Sequence, residues 1–416
     1  MMDIYSDQAG DTGKPESGNV LDRFIANRLR QALSGLEAVH LVIELPSGYR
    51  LSCGDPAASA QAEWRLKRWN ALLRLAGSGA LGFAEGYVND EWDTPDLRAL
   101  LDVLARAFDQ ISLARAKAGP SRIIGQVQHW LNANTRSGSK RNIAFHYDLG
   151  NAFYALWLDA SMTYSSACFA APDQSLEAAQ AEKYRRICVA AQLKPGDHVL
   201  EIGCGWGGFA EVAARDFGCR VTGVTLSAEQ LDYARARIEK AGLSDQVSLE
   251  IRDYRDIDET FDAIVSIEMF EAVGEAHWPV YFDQLAHCLK PGGHAALQVI
   301  TLREADFDNY RGTVDFIQKY VFPGGMLPPP SALGREAGRA GLEDIGARMF
   351  GEDYADTLQR WHADFNAAWP QIRELGFDDR FARIWRYYLA YCEAGFRSGR
   401  CDVGQFVYRK PDPATA

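Results

Sequence analysis

Val199-Leu-Glu-Ile-Gly-Cys-Gly-Trp-Gly-Gly208 is the stretch on which the reading of this chain turns. An apolar run ends in glycines, and a helical pattern, Phe209–Phe217, follows directly. Gly203 and Gly205 let a backbone turn tightly and approach a ligand, while Gly207 and Gly208 leave room for helix and strand to pack closely. Dinucleotide-binding turns use similar glycines. Glu201, two residues before the first of them, adds a carboxylate where it can meet the amino group of a methionine moiety.

Outward from this loop, short apolar strands alternate with helices. Strands are expected at His198–Ile202, Arg220–Thr225, Val247–Ile251, Phe261–Ile267 and His294–Ile300, with helices around Phe209–Phe217, Ser227–Ala241 and Trp278–Leu289. That alternation predicts a mainly parallel sheet covered on both faces, an α/β fold, with Gly404–Arg409 as a late edge strand. Ligands of such sheets bind outside the carboxyl ends of the strands. Thr225, Ser227 and Gln230 then suit a ribose, and Asp253 an adenine amino group.

Before residue 116 the pattern differs. Residues 1–20 read as a disordered tail, and residues 21–115 as a small α+β domain. The latter holds an amphipathic helix over Leu21–Leu36, a hairpin (His40–Leu45, Tyr49–Cys53), a second amphipathic helix over Trp64–Leu75 and a third over Asp96–Phe108. A basic, breaker-rich linker follows at 116–142, and residues 143–416 form the larger domain.

The formal net charge of -12 argues against a nucleic-acid partner, which needs a basic face. No apolar run reaches the roughly 20 residues that span a bilayer, and the polar N-terminus does not read as a secretory signal. A cytoplasmic protein is expected. The eight cysteines show neither metal-ligand spacing nor a disulfide framework, so no metal is expected.

The spacing Glu-x-Gly-x-Gly-x-Gly resembles that of class I S-adenosylmethionine-dependent methyltransferases, which implies a Rossmann-like seven-stranded sheet. Further blocks carry the resemblance to the cyclopropane-fatty-acyl-phospholipid synthase family: His146-Tyr-Asp-Leu-Gly-Asn151, Thr163-Tyr-Ser165, Thr225-Leu-Ser227, Phe270-Glu-Ala-Val-Gly274, Lys319-Tyr-Val-Phe-Pro-Gly-Gly325, and Tyr387 through Cys392 to Phe396. The resemblance implies S-adenosyl-L-methionine as methyl donor and an alkene in an unsaturated membrane phospholipid as acceptor. It adds Tyr164 and Ser165 to the cofactor contacts and Phe169, Phe270, Phe322 and Cys392 to a substrate pocket. Tyr164, Phe169, Phe270, Tyr320 and Phe322 offer aromatic faces to a developing cation. Asp148 fits either the site or a helix cap, and Cys392 a point of thiol-reagent inhibition.

Cyclopropane-forming members of this family typically hold a bicarbonate base with Cys, Glu, His and Tyr side chains. Here the resemblance puts Glu271 and Tyr320 at the Glu and Tyr, but Ser166 at the Cys (with Cys168 displaced), Gln298 at the His, and Glu268 at a usual Gly. Ala272 also stands where His is common. A carboxylate at 268 would repel bicarbonate while supplying a base in its place. The expectation is therefore that Glu268 is the general base, with Glu271, Gln298, Tyr320 and Ser166 around it, and that bicarbonate is displaced. A moved base favours a methyl- or methylene-branched chain; a cyclopropane is the alternative product.

A small-molecule methyltransferase on the same fold would not need the segment Glu304–Ala340, which suits a cap (about 302–340) over an acyl chain. A lipid-binding protein with a dead methyltransferase domain would not need an intact glycine loop. Docking at the inner membrane face is expected from the helices at 21–36 and 64–75 and the basic linker; a homodimer is compatible with this reading.

Overall fold

The structure, a computed structural model, describes residues 18–34, 36, 38–107 and 149–412. The linker at 116–142 and the residues His146, Tyr147 and Asp148 lie outside them. Described residues up to 107 belong to one compact unit and those from 149 to another.

In the first unit, α1 (Val20–Ala32) starts at Asn19, whose side chain accepts from the Asp22 backbone N–H while Asp22 accepts from that of Asn19. The expected hairpin is present as β1 (Val39–Glu44) and β2 (Arg50–Gly54), paired antiparallel. Next come β3 (Ala60–Leu66), α2 (Asn70–Val88), β4 (Trp92–Asp93) and α3 (Leu97–Arg106), the last capped by Asp96. The helix expected over Trp64–Leu75 is a correction. Trp64 and Leu66 close β3, which pairs parallel to β1, and the helix begins only at Asn70. Trp64 and Leu66 are buried and Arg65 between them is exposed, so the burial has period two. Trp64 packs on Phe83 and Trp92, and that burial overrides local helical spacing.

The second unit opens with α4 (Asn151–Tyr154) and α5 (Leu176–Ala190). Then β5 (His198–Ile202), α6 (Gly208–Phe217), β6 (Arg220–Thr225), α7 (Ala228–Lys240), β7 (Val247–Ile251) and β8 (Phe261–Ile267) appear where the sequence placed them. They are followed by α8 (Trp278–Cys288) and β9 (Leu289–Leu302). The segment expected as a cap folds as α9 (Glu304–Arg311), α10 (Phe316–Tyr320) and α11 (Pro330–Arg339); β10 (Glu343–Met349), α12 (Gly351–Glu374), α13 (Asp379–Arg397) and β11 (Cys401–Arg409) complete the unit.

The seven strands run in the order β10-β11-β9-β8-β5-β6-β7. The five from β9 to β7 are parallel, and β11 and β10 are antiparallel additions. One apolar core on each face covers the sheet: Ile264 of β8 lies in one, and its neighbours Ala263 and Val265 in the other. This is why the central strands β5 and β8 read as largely apolar runs. The late strand is corrected in place, since β11 lies between β9 and β10 and the edge belongs to β10. Every residue of β10 is exposed, so it carries no apolar alternation; backbone pairing with β11 alone makes it a strand.

Candidate active site

The glycine loop leaves β5 beside the place where chain order reverses, β5 leading to β6 on one side and β8 lying on the other. A cleft opens at the carboxyl ends of these strands. Gly203, Gly205, Thr225, Gln230, Asp253, Arg255, Glu268 and Met269 are among its lining residues. Gly203 and Gly205 have φ of 87° and 50°, the left-handed region that glycine adopts without strain. Gly207 and Gly208 make room for helices rather than a strand: a Cβ would meet Ala234 of α7 at 3.1 Å and the Tyr184 hydroxyl of α5 at 2.7 Å respectively.

Glu201 is 3% exposed and its Oε2 has no hydrogen-bond partner. Burial pushes its proton affinity well up, with Arg237 and Lys183 opposing. A buried, unsatisfied carboxylate beside an open glycine turn fits a ligand that brings an ammonium group. Around the cleft, Ser227 caps α7 by accepting from the Gln230 N–H, and Thr225 Oγ1 donates to Gln230 Oε1 at 3.2 Å. Asp253 caps a short turn and is clamped by Arg255 at 2.6 Å. Asn151 ties the preceding segment to the loop: its Oδ1 accepts from Trp206 Nε1 at 2.7 Å and its amide donates to the Glu229 carbonyl.

At the end of β8 the chain places a carboxylate in the cleft. Glu268 has φ of 50°, uncommon for a residue with a side chain. Its Oε1 accepts from the Ser166 backbone N–H and from Gln298 Nε2, both at 2.8 Å; its Oε2 accepts from the Tyr354 hydroxyl at 2.7 Å. Burial raises its pKa, and the Lys183 charge followed by these donors pulls it back. Glu271 lies three residues on; its Oε1 accepts from the Ile300 N–H at 2.6 Å and its buried Oε2 has no partner. Burial, then the Glu268 charge, pushes Glu271 up to about 8, so it is protonated at neutral pH.

The structure thus brings Glu268, Gln298 and Ser166 into direct contact, with Glu271 close enough to feel the Glu268 charge. Ser166 takes part through its backbone, since its hydroxyl donates to the Ala167 carbonyl. A tyrosine that reaches Glu268 is Tyr354, on the first turn of α12. The Tyr320 ring meets Phe316 and has Lys319 and Arg380 over it. Among the expected pocket aromatics, Tyr164 and Phe322 face each other in a cluster with Tyr154, Trp157, Trp361 and Tyr388, and Trp361 also touches Tyr354. Phe270 packs instead into the core against Trp278, Tyr281 and Phe282, and Phe169 lies under Arg360. Burial lifts the Cys392 thiol well above its usual range, which keeps it a thiol rather than a nucleophile. Ser165 accepts a hydrogen bond from Lys183. Among the described residues no cluster suits a metal ion.

A strand-loop-helix cofactor turn with a buried acid, on a sheet of this order, defines an S-adenosylmethionine-dependent methyltransferase. Comparison with known proteins gives the family: residues 134–406 match the model of mycolic acid cyclopropane synthetase, and the chain belongs to that family. It is 39% identical to the tuberculostearic acid methyltransferase UfaA1 of Mycobacterium tuberculosis, over 94% of this chain and 92% of that protein. It is 37% identical to the cyclopropane-fatty-acyl-phospholipid synthase of Escherichia coli K12, over 85% and 89%. Among solved structures, the mycolic acid cyclopropane synthase CmaA1 complexed with SAH and CTAB has a TM-score of 0.61 at 30% identity, covering 65% of this chain and 98% of that one. S-Adenosylmethionine is thus the methyl donor and acyl chains are the substrate class of the family.

The fit of Glu201 makes a direct expectation. Glu201→Gln removes the charge that would face an ammonium, which at about 1.5–3 kcal/mol corresponds to a loss of roughly 10- to 150-fold in affinity for S-adenosylmethionine. Titration calorimetry reads it; unchanged affinity would remove Glu201 from the cofactor site.

Proposed function

We propose that this protein methylates the double bond of an unsaturated phospholipid acyl chain and that Glu268 takes up the departing proton, giving a methyl- or methylene-branched chain. The observation that carries this reading is the Glu268 carboxylate itself, in the cofactor cleft with three donors on its oxygens. S-Adenosylmethionine supplies an electrophilic methyl group. Gly203, Gly205, Thr225, Gln230 and Asp253 line the cleft that would hold it, and the buried Glu201 would meet its ammonium group; Ser227, Tyr164 and Ser165 are not among the lining residues.

The alkene electron pair forms the new carbon–carbon bond, leaving a cation on the acyl chain. Tyr164 and Phe322 present aromatic faces suited to such a charge. Glu268 accepts a proton, and the released C–H pair neutralises the cation: taken from a neighbouring chain carbon it leaves a methyl-branched double bond, taken from the new methyl it closes a ring, and taken from the new methyl after a 1,2-hydride shift to the cationic carbon it leaves a methylene branch. With Glu268 as a fixed base, bicarbonate has no place to enter: its donors are already engaged. Similarity to a protein named for tuberculostearic acid methylation supports a branched product, and similarity to cyclopropane synthases supports the alternative.

Delivery of the substrate asks for contact with a lipid surface. Among the described residues no helix is long and apolar enough to cross a membrane. On α1, Val20, Leu21 and Phe24 are exposed, and exposed Arg23 and Arg28 flank them. That pattern supports peripheral docking on an anionic bilayer.

Mass spectrometry of lipids from cells fed methyl-deuterated methionine tests the product. Two deuteriums in the added carbon, in a species that chromatographs as a methylene-branched chain, or three in a methyl-branched one, are expected. Two deuteriums in a cyclopropane as the sole product would overturn the branched reading.

A further inference from the structure

Behind Glu268 lies a polar layer that the reaction as described does not use. Lys183, on α5, is fully buried, as are Gln298, Ser166, Ser165, Gln180 and Gln405 within a few per cent. The buried stripe of α5 runs through Leu176, Ala179, Gln180, Lys183, Tyr184 and Ile187, so its helical register turns a charged residue inward. A lysine is almost never fully buried unless paired.

The bonds form a closed circuit around Glu268. Lys183 Nζ donates to Ser165 Oγ at 2.5 Å and sits 4.4 Å from the Tyr184 ring centre. Gln180 donates to the Ser165 carbonyl, and the next residue, Ser166, donates its N–H to Glu268. On the other side, Gln405 Nε2 donates both to the Lys183 carbonyl and to Gln298 Oε1. With its oxygen engaged there, Gln298 must turn its Nε2 to Glu268 and the Ser166 carbonyl, as observed.

We infer that Lys183 is a positioning residue for the proton-transfer step: a buried counter-cation that keeps Glu268 ionised and, through Ser165, holds the Ser166 N–H on its carboxylate. The inference rests on Glu268 being the base. Two acids three residues apart, both enclosed by protein, cannot both be charged without a cation nearby. Glu271 stays protonated, and Lys183 supplies the charge that lets Glu268 do otherwise. The Glu268 carboxylate meets Tyr354 from α12, Gln298 from β9 and the Ser166 N–H directly; Lys183 from α5 reaches it through Ser165, the neighbour of Ser166, and through charge, as Glu271 does, while burial pushes the Lys183 ammonium itself down to about 8. Those facing Lys183 are Glu268, Cys168, Asp159, Glu201 and Tyr184. Among these, Glu201 also has a claim on the cation, which the test separates by measuring cofactor binding.

The test is the pH profile of single-turnover methyl transfer from S-adenosylmethionine to vesicles of oleoyl-containing phosphatidylglycerol, for the full chain and Lys183→Met. The acid limb should move up by about one unit or more, equivalent to a roughly tenfold loss of rate on that limb. Cofactor affinity should stay within about threefold, and Lys183→Arg should restore part of the shift. In a Glu268→Gln background, adding Lys183→Met should cost almost nothing further, because the group it serves is gone. An unmoved profile beside an inactive Glu268→Gln overturns the role of Lys183 alone; an active Glu268→Gln overturns the base reading itself. If Lys183→Met does not fold, Lys183→Met/Glu268→Gln, which removes both charges, should regain the fold by circular dichroism. Failure of that double variant to do so overturns the counter-ion assignment.

Discussion

Glu268→Gln is expected to lower turnover by roughly 10²- to 10⁴-fold, the usual effect of deleting a positioned general base. Glutamine keeps an acceptor oxygen for the Ser166 N–H and Gln298, so the site should keep its shape. It removes the proton acceptor. Calorimetric affinity for S-adenosylmethionine should change by no more than a few fold, since Glu268 reaches the cleft from β8 whereas the glycine turn and Glu201 come from β5. Assayed as S-adenosylhomocysteine released per enzyme, the variant should also lose the acid limb of the pH profile. Burial raises the Glu268 pKa, so the wild-type rate rises with pH as that group ionises, and a glutamine does not ionise. Normal turnover in this variant would rule out Glu268 as the base.

Glu268→Gly is expected to give an enzyme that depends on an added small carboxylate or bicarbonate. Two effects act together. The φ of 50° at this position is natural for glycine and costs a residue with a side chain about 1–2 kcal/mol, so relief of the backbone offsets part of the cost of leaving the buried Lys183 without its counter-ion, and no rise in melting temperature is expected. At the same time the Ser166 N–H, Gln298 Nε2 and the Tyr354 hydroxyl remain, aimed at the vacated space. Three donors around a gap the size of a carboxylate form a ready anion site. In buffer freed of carbon dioxide the variant should be as slow as Glu268→Gln; millimolar bicarbonate or formate should restore at least about tenfold of the rate, saturably, within the range that general-base catalysis supplies. Adding Tyr354→Phe should weaken that rescue by removing one donor. No rescue by either anion would mean that these donors do not define the position of the base.

Much of the fold was legible because its strands bury both faces. β5 and β8 are largely apolar runs buried on both faces, β7 alternates as an edge strand does, and all four strands from β5 to β8 appear at their expected residues. The Glu201–Gly205 turn was equally legible, since its chemistry is local: a carboxylate, a strand end and two left-handed glycines within a few residues. The edge of the sheet was not. β10 is wholly exposed and its strand character comes from pairing with β11, a partner some 60 residues away on the far side of two helices. The segment at Trp64 failed for the opposite reason, its helical spacing yielding to burial between Phe83 and Trp92.

The site divides in the same way. Glu268, Glu271, Gln298 and Ser166 were named from the sequence by resemblance, yet the tyrosine placed with them was Tyr320, whereas Tyr354 donates to the Glu268 carboxylate. Nothing local separates Tyr354 from an ordinary core tyrosine at the start of an amphipathic helix. Lys183 left one trace, a lysine in the apolar register of α5, whose meaning depends on what faces it.

By itself the sequence determined the parallel sheet, the cofactor turn and the identity of the acid that stands where a glycine is usual. The first two follow from periodicity and from residues whose chemistry is expressed within one turn of chain, and the third from resemblance to the family. The tertiary structure alone decided the strand order at the sheet edge, the contact of Tyr354 with Glu268, and the placing of Lys183 and Gln405 behind Glu268. Those contacts join residues up to more than 200 positions apart, as in the bond from Gln405 to the Lys183 carbonyl. Their geometry is fixed by the packing of α5, α12 and β11 on the sheet, which no short window of sequence contains.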